Sequence, residues 1–267
     1  MRFVMVSMAN VLKILWGCSL ALQLSVLVLI IAKKHYRTFP ATFLYLLISL
    51  LQSPVVYLVY STWGYESWQA FRVGWISQAI VTTMRWIAVC ELCHLILGQF
   101  RGIWGITRRA LALSGGIVLL LTLLLGGHDF VRIINTFDLG LECSMATVLV
   151  VFFLFARYYQ VLIHPSLQSI GIAFCLYSCF RTFNDTVLQA FLRNYAATWN
   201  LVDEVTYLAT LALLASAVFA LRPRPVQKVA LLPRAVYAEF IPQVNNRLIA
   251  LNNRLSQLLK PDAPGEI

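Results

Sequence analysis

Hydrophobic positions in this chain fall in long unbroken runs, not in the two-residue alternation of a half-buried strand or the single stripe of a soluble amphipathic helix. A membrane-crossing helix needs about 20 mostly apolar residues, and seven runs meet or approach that length. They are Val11 to Ala32, Ala41 to Tyr60, Gly74 to Leu97, Ala110 to Leu125, Leu139 to Phe155, Leu167 to Leu192 and Leu201 to Leu221. The fourth is short and stops at Gly126 and Gly127. Connections between the runs are short, so successive helices should be neighbours in a compact bundle. The predicted fold is all-α: a polytopic seven-transmembrane-helix bundle over residues 1–221, a basic Pro-containing linker over 222–235, a cytoplasmic amphipathic or coiled-coil helix over 236–260 and a disordered end over 261–267. The first run exceeds the apolar core of a signal peptide and ends at Lys33 and Lys34 with no small-residue cleavage site, so it is expected to be retained.

Composition agrees with the runs. Apolar residues make up 60% of the chain and charged ones 12%, against about 45–50% and about 25% in soluble domains, which excludes an ordinary soluble protein. The formal charge of +10 would suggest nucleic acid in a soluble chain, but most of the Lys and Arg fall in segments that share one side of the bilayer. The excess is therefore a topology signal and an attraction to anionic lipid. The lipid bilayer is the expected partner, and nucleic acid is not.

Orientation follows from that bias. Lys33, Lys34 and Arg37 follow the first run, Arg101, Arg108 and Arg109 the third, Arg157 the fifth, and Arg222, Arg224, Lys228 and Arg234 the seventh. The alternate loops hold Glu66 with Arg72, then Asp129, Arg132 and Asp138, then Arg193 with Asp203 and Glu204. The prediction is an N-terminus outside and a C-terminus inside, in the cell membrane, which is the inner membrane if the source is a Gram-negative bacterium. Trp63, Trp68, Trp75, Trp104 and Trp199 sit near span ends, where an amphipathic ring suits the headgroup layer.

Near the C-terminus, Asn245 to Leu251 repeats almost unchanged as Asn252 to Leu258. Leu248, Leu251, Leu255 and Leu258 then alternate spacings of three and four, the seam of a coiled coil. Pro242 marks the helix start, where its missing N–H does no harm. The leucines predict either a homodimer through this helix or a helix lying on the inner leaflet beside Arg247 and Arg254.

Ionisable groups inside spans are costly and usually face the bundle interior in pairs, so they are the informative residues. The third run carries Gln78, Thr82 and Arg85, then Glu91 and His94; the sixth carries Ser178, Arg181, Asn184 and Asp185 on one stripe. The fifth adds Glu142, Ser144 and Thr147, the seventh Asp203, Glu204, Tyr207 and Thr210, and the second Ser49, Gln52, Ser53 and Tyr57 around Pro54. The fourth run is nearly featureless and should face lipid. Arg85 and Arg181 each lie eleven residues from an outer span end, so both should sit roughly 16 Å deep. Two arrangements are open: an outward-opening pocket in which the two guanidiniums bind an anionic group, or internal salt bridges, Arg181 with Asp185 and Arg85 with Glu91 or another acid.

Other chemistries fit poorly. Cys90-Glu91-Leu92-Cys93-His94 matches the c-type haem attachment pattern, yet it continues a hydrophobic helix. Glu91 and His94 have the spacing of a carboxylate metal bundle but lack the second such pair, so neither metal nor cofactor is expected. The six cysteines, Cys18, Cys90, Cys93, Cys143, Cys175 and Cys179, all fall in spans and imply no disulfide framework. Lys13 is the only lysine within a span, which argues against a retinal Schiff base. With no serine-nucleophile, phosphate-loop or magnesium signature, no enzymatic activity is expected.

In topology alone the chain is similar to membrane receptors and to the seven-helix sensor modules of bacterial signalling proteins; no motif supports a family. The expected function is an integral membrane sensor or receptor-like protein that signals through its cytoplasmic helix to a separate effector. The alternative is a transporter or channel for a small anionic or proton-coupled solute.

Overall fold

The computed structural model describes residues 2–64, 67–98, 101–127, 129–158, 163–184, 186, 196–220 and 242–258. Among them are eight α-helices: α1 Arg2–Ala32, α2 Pro40–Trp63, α3 Trp68–Leu97, α4 Arg101–Gly126, α5 Phe130–Tyr158, α6 Pro165–Phe183, α7 Ala196–Ala220 and α8 Pro242–Leu258. Six contain stretches long and apolar enough to cross a membrane: Val11–Ala32, Pro40–Trp63, Trp68–Leu97, Ile103–Gly126, Phe130–Tyr158 and Trp199–Ala220. The described part of α6 is 19 residues long and carries Ser178 and Arg181; it does not qualify as a seventh. The latter part of the run predicted to end at Leu192 lies outside the described residues, as do the predicted linker and the end at 261–267.

Local signals set several boundaries. Pro40 and Pro165 open α2 and α6, where a missing N–H is harmless. The Ser67 side chain caps α3 by accepting from the Ala70 amide at 3.2 Å. Gly64 and Gly127, at φ 76° and 57°, take the chain out of α2 and α4 through a backbone region that other residues avoid. Pro54 lies inside α2, which continues past it.

The helices begin earlier than the apolar runs do. α3 starts at Trp68, not Gly74, and α5 at Phe130, not Leu139, so Arg72, Arg132 and Asp138 are helical residues and not loop residues. Arg101, Arg108 and Arg109 likewise stand on the first turns of α4. A hydropathy run stops at the first cluster of polar residues. A helix whose backbone bonds are internal continues through them if one face stays buried.

The helices close a ring in the order α1, α2, α3, α5, α6, α7 and back to α1, with α4 packed outside on α5 and α3. Central placement shows in burial: half of the apolar window of α3 is buried, against 22% for those of α2 and α4. The outer face of α4 is a row of exposed leucines, Leu113, Leu120, Leu123 and Leu124 among them, in line with the lipid-facing expectation. Close helix approach depends on small residues: a Cβ on Gly140 of α5 would come within 2.9 Å of Val118 on α4, and one on Gly171 of α6 within 2.7 Å of Phe153 on α5. At the end of the bundle that carries the basic connections, Lys33 Nζ donates to the Phe219 carbonyl at 2.5 Å. A cation there meets the negative end of α7 and ties it to α1.

α8, described from Pro242 to Leu258, packs on α4. Leu251 and Leu255 line a groove of about 320 Å³ with Cys93 and Leu97 of α3, Ile103 to Leu111 of α4 and Thr147 to Phe155 of α5. Two of the four seam leucines are thus placed against the chain's own bundle. The side chains of Leu248 and Leu258 lie outside the described residues. An a/d stripe requires an apolar partner surface, and a tethered groove on the same chain is present at high effective concentration.

Candidate functional site: a buried charge ladder

The polar side chains that the helices bring together form a ladder through one half of the bundle. Its deepest rung is Arg85 of α3, 2% exposed, whose Nη1 donates to Oε1 of Glu142 on α5, itself 0% exposed. The same guanidinium lies 4.4 Å from the ring centre of Tyr177 on α6 and 5.6 Å from that of Tyr45 on α2. Aromatic faces thus supplement a single carboxylate in holding a buried charge.

One helical turn along α5, Asp138 accepts from the Thr82 hydroxyl of α3 through Oδ1, and its Oδ2 meets Arg181 Nη2 at 3.4 Å. Arg181, on α6, reaches Asp203 Oδ2 of α7 through Nη1, also at 3.4 Å. Four helices are therefore pinned by two guanidiniums and three carboxylates, Arg85 with Glu142 and Arg181 with Asp138 and Asp203, the two groups joined through α5. Beside it, the Ser49 and Tyr207 hydroxyls lie 3.3 Å apart, and Gln52 donates to Ser77 and Gln78 across the α2–α3 contact.

The ladder stops at mid-bundle. Arg85 stands twelve residues, about 18 Å, from the end of α3. Beyond it the buried residues of α3 are Ala88, Val89, Leu92, Cys93, Ile96 and Leu97. On α5 Met145, Leu149 and Phe152 follow Glu142, and on α7 Thr210 and then Leu211, Leu214, Ala217 and Val218 follow Asp203.

The predicted site residues divide. Arg85, Glu142, Arg181 and Asp203 are brought together, and Glu204 lies next to Asp203 against Ser19 of α1. Glu91 is not part of the ladder. Its two carboxylate oxygens accept from the Ala41 amide, the Thr42 amide and the Thr42 hydroxyl, each at 2.9 Å, so it caps the N-terminus of α2. The expected pairing of Arg85 with Glu91 gives way to Arg85 with Glu142 because Glu91 is nearly two turns away and already holds three donors. His94 also stands apart, its ring 4.6 Å from that of Trp104. Asn184 ends α6 as its partly exposed C-cap, and Asp185 lies outside the described residues. Arg181 pairs with Asp138 and Asp203.

Asp138, Tyr45 and Tyr177 are the site residues that sequence reasoning missed. The available signal for Asp138 was its i, i+4 spacing to Glu142, which puts both carboxylates on one helix face. Among the described residues no group of three or more His, Cys, Asp or Glu converges as a metal site would.

Fold and site together define a polytopic helical membrane protein with a charge network reaching half-way through its bundle. No protein-family model matches the chain, and no curated protein and no solved structure shows a significant similarity to it.

Proposed function

We propose that the protein is an integral membrane sensor or receptor-like protein with seven spans, its N-terminus outside and its C-terminus inside, in which the charge ladder receives the stimulus and α8 passes it to a separate cytoplasmic effector. One observation carries this: the two helices that hold the deepest rung also line the seat of α8. α3 contributes Arg85 to the ladder and Cys93 and Leu97 to the groove; α5 contributes Glu142 to the ladder and Val151 and Phe155 to the groove. A change in the Arg85–Glu142 pair that shifts α3 against α5 acts directly on the surface under Leu251 and Leu255. Packed helices respond to such a bias by exchanging discrete arrangements, not by deforming continuously.

A transporter would draw on the same residues, since intramembrane charges often mark solute paths. The mostly apolar buried faces of α3 and α5 below Arg85 speak for a receiver over a conduit, and carboxylates already holding both guanidiniums weaken an anion site. Hydrogen exchange of residues 246–257, followed in liposomes beside solute and proton uptake, tests the proposal. A stimulus-dependent change in α8 exchange without flux is expected. Accumulation of solute or protons with α8 exchange unchanged would overturn it in favour of transport.

A further inference from the structure

The unsatisfied atoms of the ladder indicate what it takes up. Glu142 Oε2, on a side chain with 0% exposure, lies beside the equally buried Ser178 hydroxyl, with no fully formed hydrogen bond to it or to any other group. Toward the opposite end, Thr182 Oγ1, Asp203 Oδ1 and Glu204 Oε1 are in the same state. Three of these five atoms are carboxylate oxygens, which only accept, and the other two are hydroxyls, which both donate and accept; Arg85 Nε is a further donor. Buried polar atoms require partners, and the three carboxylate oxygens can be satisfied only by donors.

Charge points the same way. The ladder and its neighbour Glu204 set four carboxylates, Asp138, Glu142, Asp203 and Glu204, against the two guanidiniums of Arg85 and Arg181. Fully ionised, the group is negative inside a low-dielectric bundle. Two cavities with almost wholly apolar linings lie against α1 and α2 and beneath α8, and neither is lined by a ladder residue. A proton needs no cavity.

We infer that the ladder is a proton-binding site: Glu142, beside Ser178, is its deepest seat, and Asp203 and Glu204 are its entry. The step converts hydronium at the Asp203 end to water and a carboxylate to a carboxyl group; the new O–H fills the place of a missing donor, and no other bond changes. The charged and titratable groups around Glu142 are Arg85 from α3, Asp138 on its own helix, and Arg181 and Tyr177 from α6. Tyr45 of α2 lies over Arg85, Asp203 and Tyr207 of α7 stand beside Arg181 and Tyr177, and Arg108 and Arg109 of α4 are exposed.

The inference rests on the sensor proposal only for its consequence, and the test separates the two. Infrared difference spectra of the full chain in lipid bilayers, taken across a pH titration, should show the carbonyl band of a protonated buried carboxyl. Glu142→Gln should remove that band, and Ser178→Ala, which keeps every charge, should shift its frequency. Absence of the band, or a band that neither substitution alters, would overturn the proton site. Hydrogen exchange of α8 over the same titration reports on signalling separately. A band without an α8 response would leave the proton site standing and remove the sensor; an α8 response to another stimulus without a band would do the reverse.

Discussion

Removing one member of the Arg85–Glu142 pair should cost far more than removing both. With Glu142→Met, a guanidinium that is 2% exposed keeps only the faces of Tyr45 and Tyr177, and breaking a buried ion pair in this way costs about 3–5 kcal/mol. Arg85→Met strands a carboxylate with 0% exposure; it should cost about as much, plus about 0.5–2 kcal/mol for each tyrosine ring that no longer faces a cation. The double substitution replaces both charges by apolar groups of similar length and should return to within about 2 kcal/mol of the parent. A double-mutant cycle therefore predicts a coupling of several kcal/mol, well above the roughly 0.6 kcal/mol average of interhelical hydrogen bonds in membrane helices. Equilibrium unfolding in mixed detergent, followed by tryptophan fluorescence, measures all four forms. Single variants that each lose less than about 1 kcal/mol, or a double variant that loses the sum of the two, would refute a desolvated, mutually dependent pair.

Three other substitutions probe the remaining packing. Glu91→Ala removes the acceptor for three donors at the start of α2 and should cost about 1–3 kcal/mol, with faster hydrogen exchange at Ala41 and Thr42; Glu91→Gln should recover part of the loss. Leu255→Asp puts a charge into the apolar groove beneath α8, so limited proteolysis should cut within 242–258 while the bundle keeps its thermal stability to within a few degrees. Gly140→Val would drive its first side-chain carbon to 2.9 Å from Val118 and should cost about 1–3 kcal/mol by forcing α4 from α5; an unchanged melting temperature would mean that the two helices separate freely.

Helix existence was legible because hydropathy runs report burial in lipid or core without regard to partners. Helix ends were not, and the error fell on the most consequential residue. Asp138 follows an uneven stretch of apolar and polar positions, Phe130 to Phe137, which scores poorly by run length yet winds a buried stripe through Ile134, Asp138, Leu141, Glu142 and Met145. Reading faces and not runs would have recovered it. Pairing was harder still. Nothing in the spacing of Arg85 and Glu91 along α3 separates a side chain that turns inward to Glu142 from one that reaches the first amides of α2; only the placement of α2 and α5 around α3 decides. The repeated leucines make the same point for α8. A stripe at heptad spacing states that a helix will bury one face. It carries no information on whether a second chain, the bilayer or the groove between α4 and α5 covers that face, and here the groove holds Leu251 and Leu255. The consequence is mechanical: the helix lies on α4 over a groove that α3 and α5 also line, and those two helices carry the Arg85–Glu142 rung at mid-bundle.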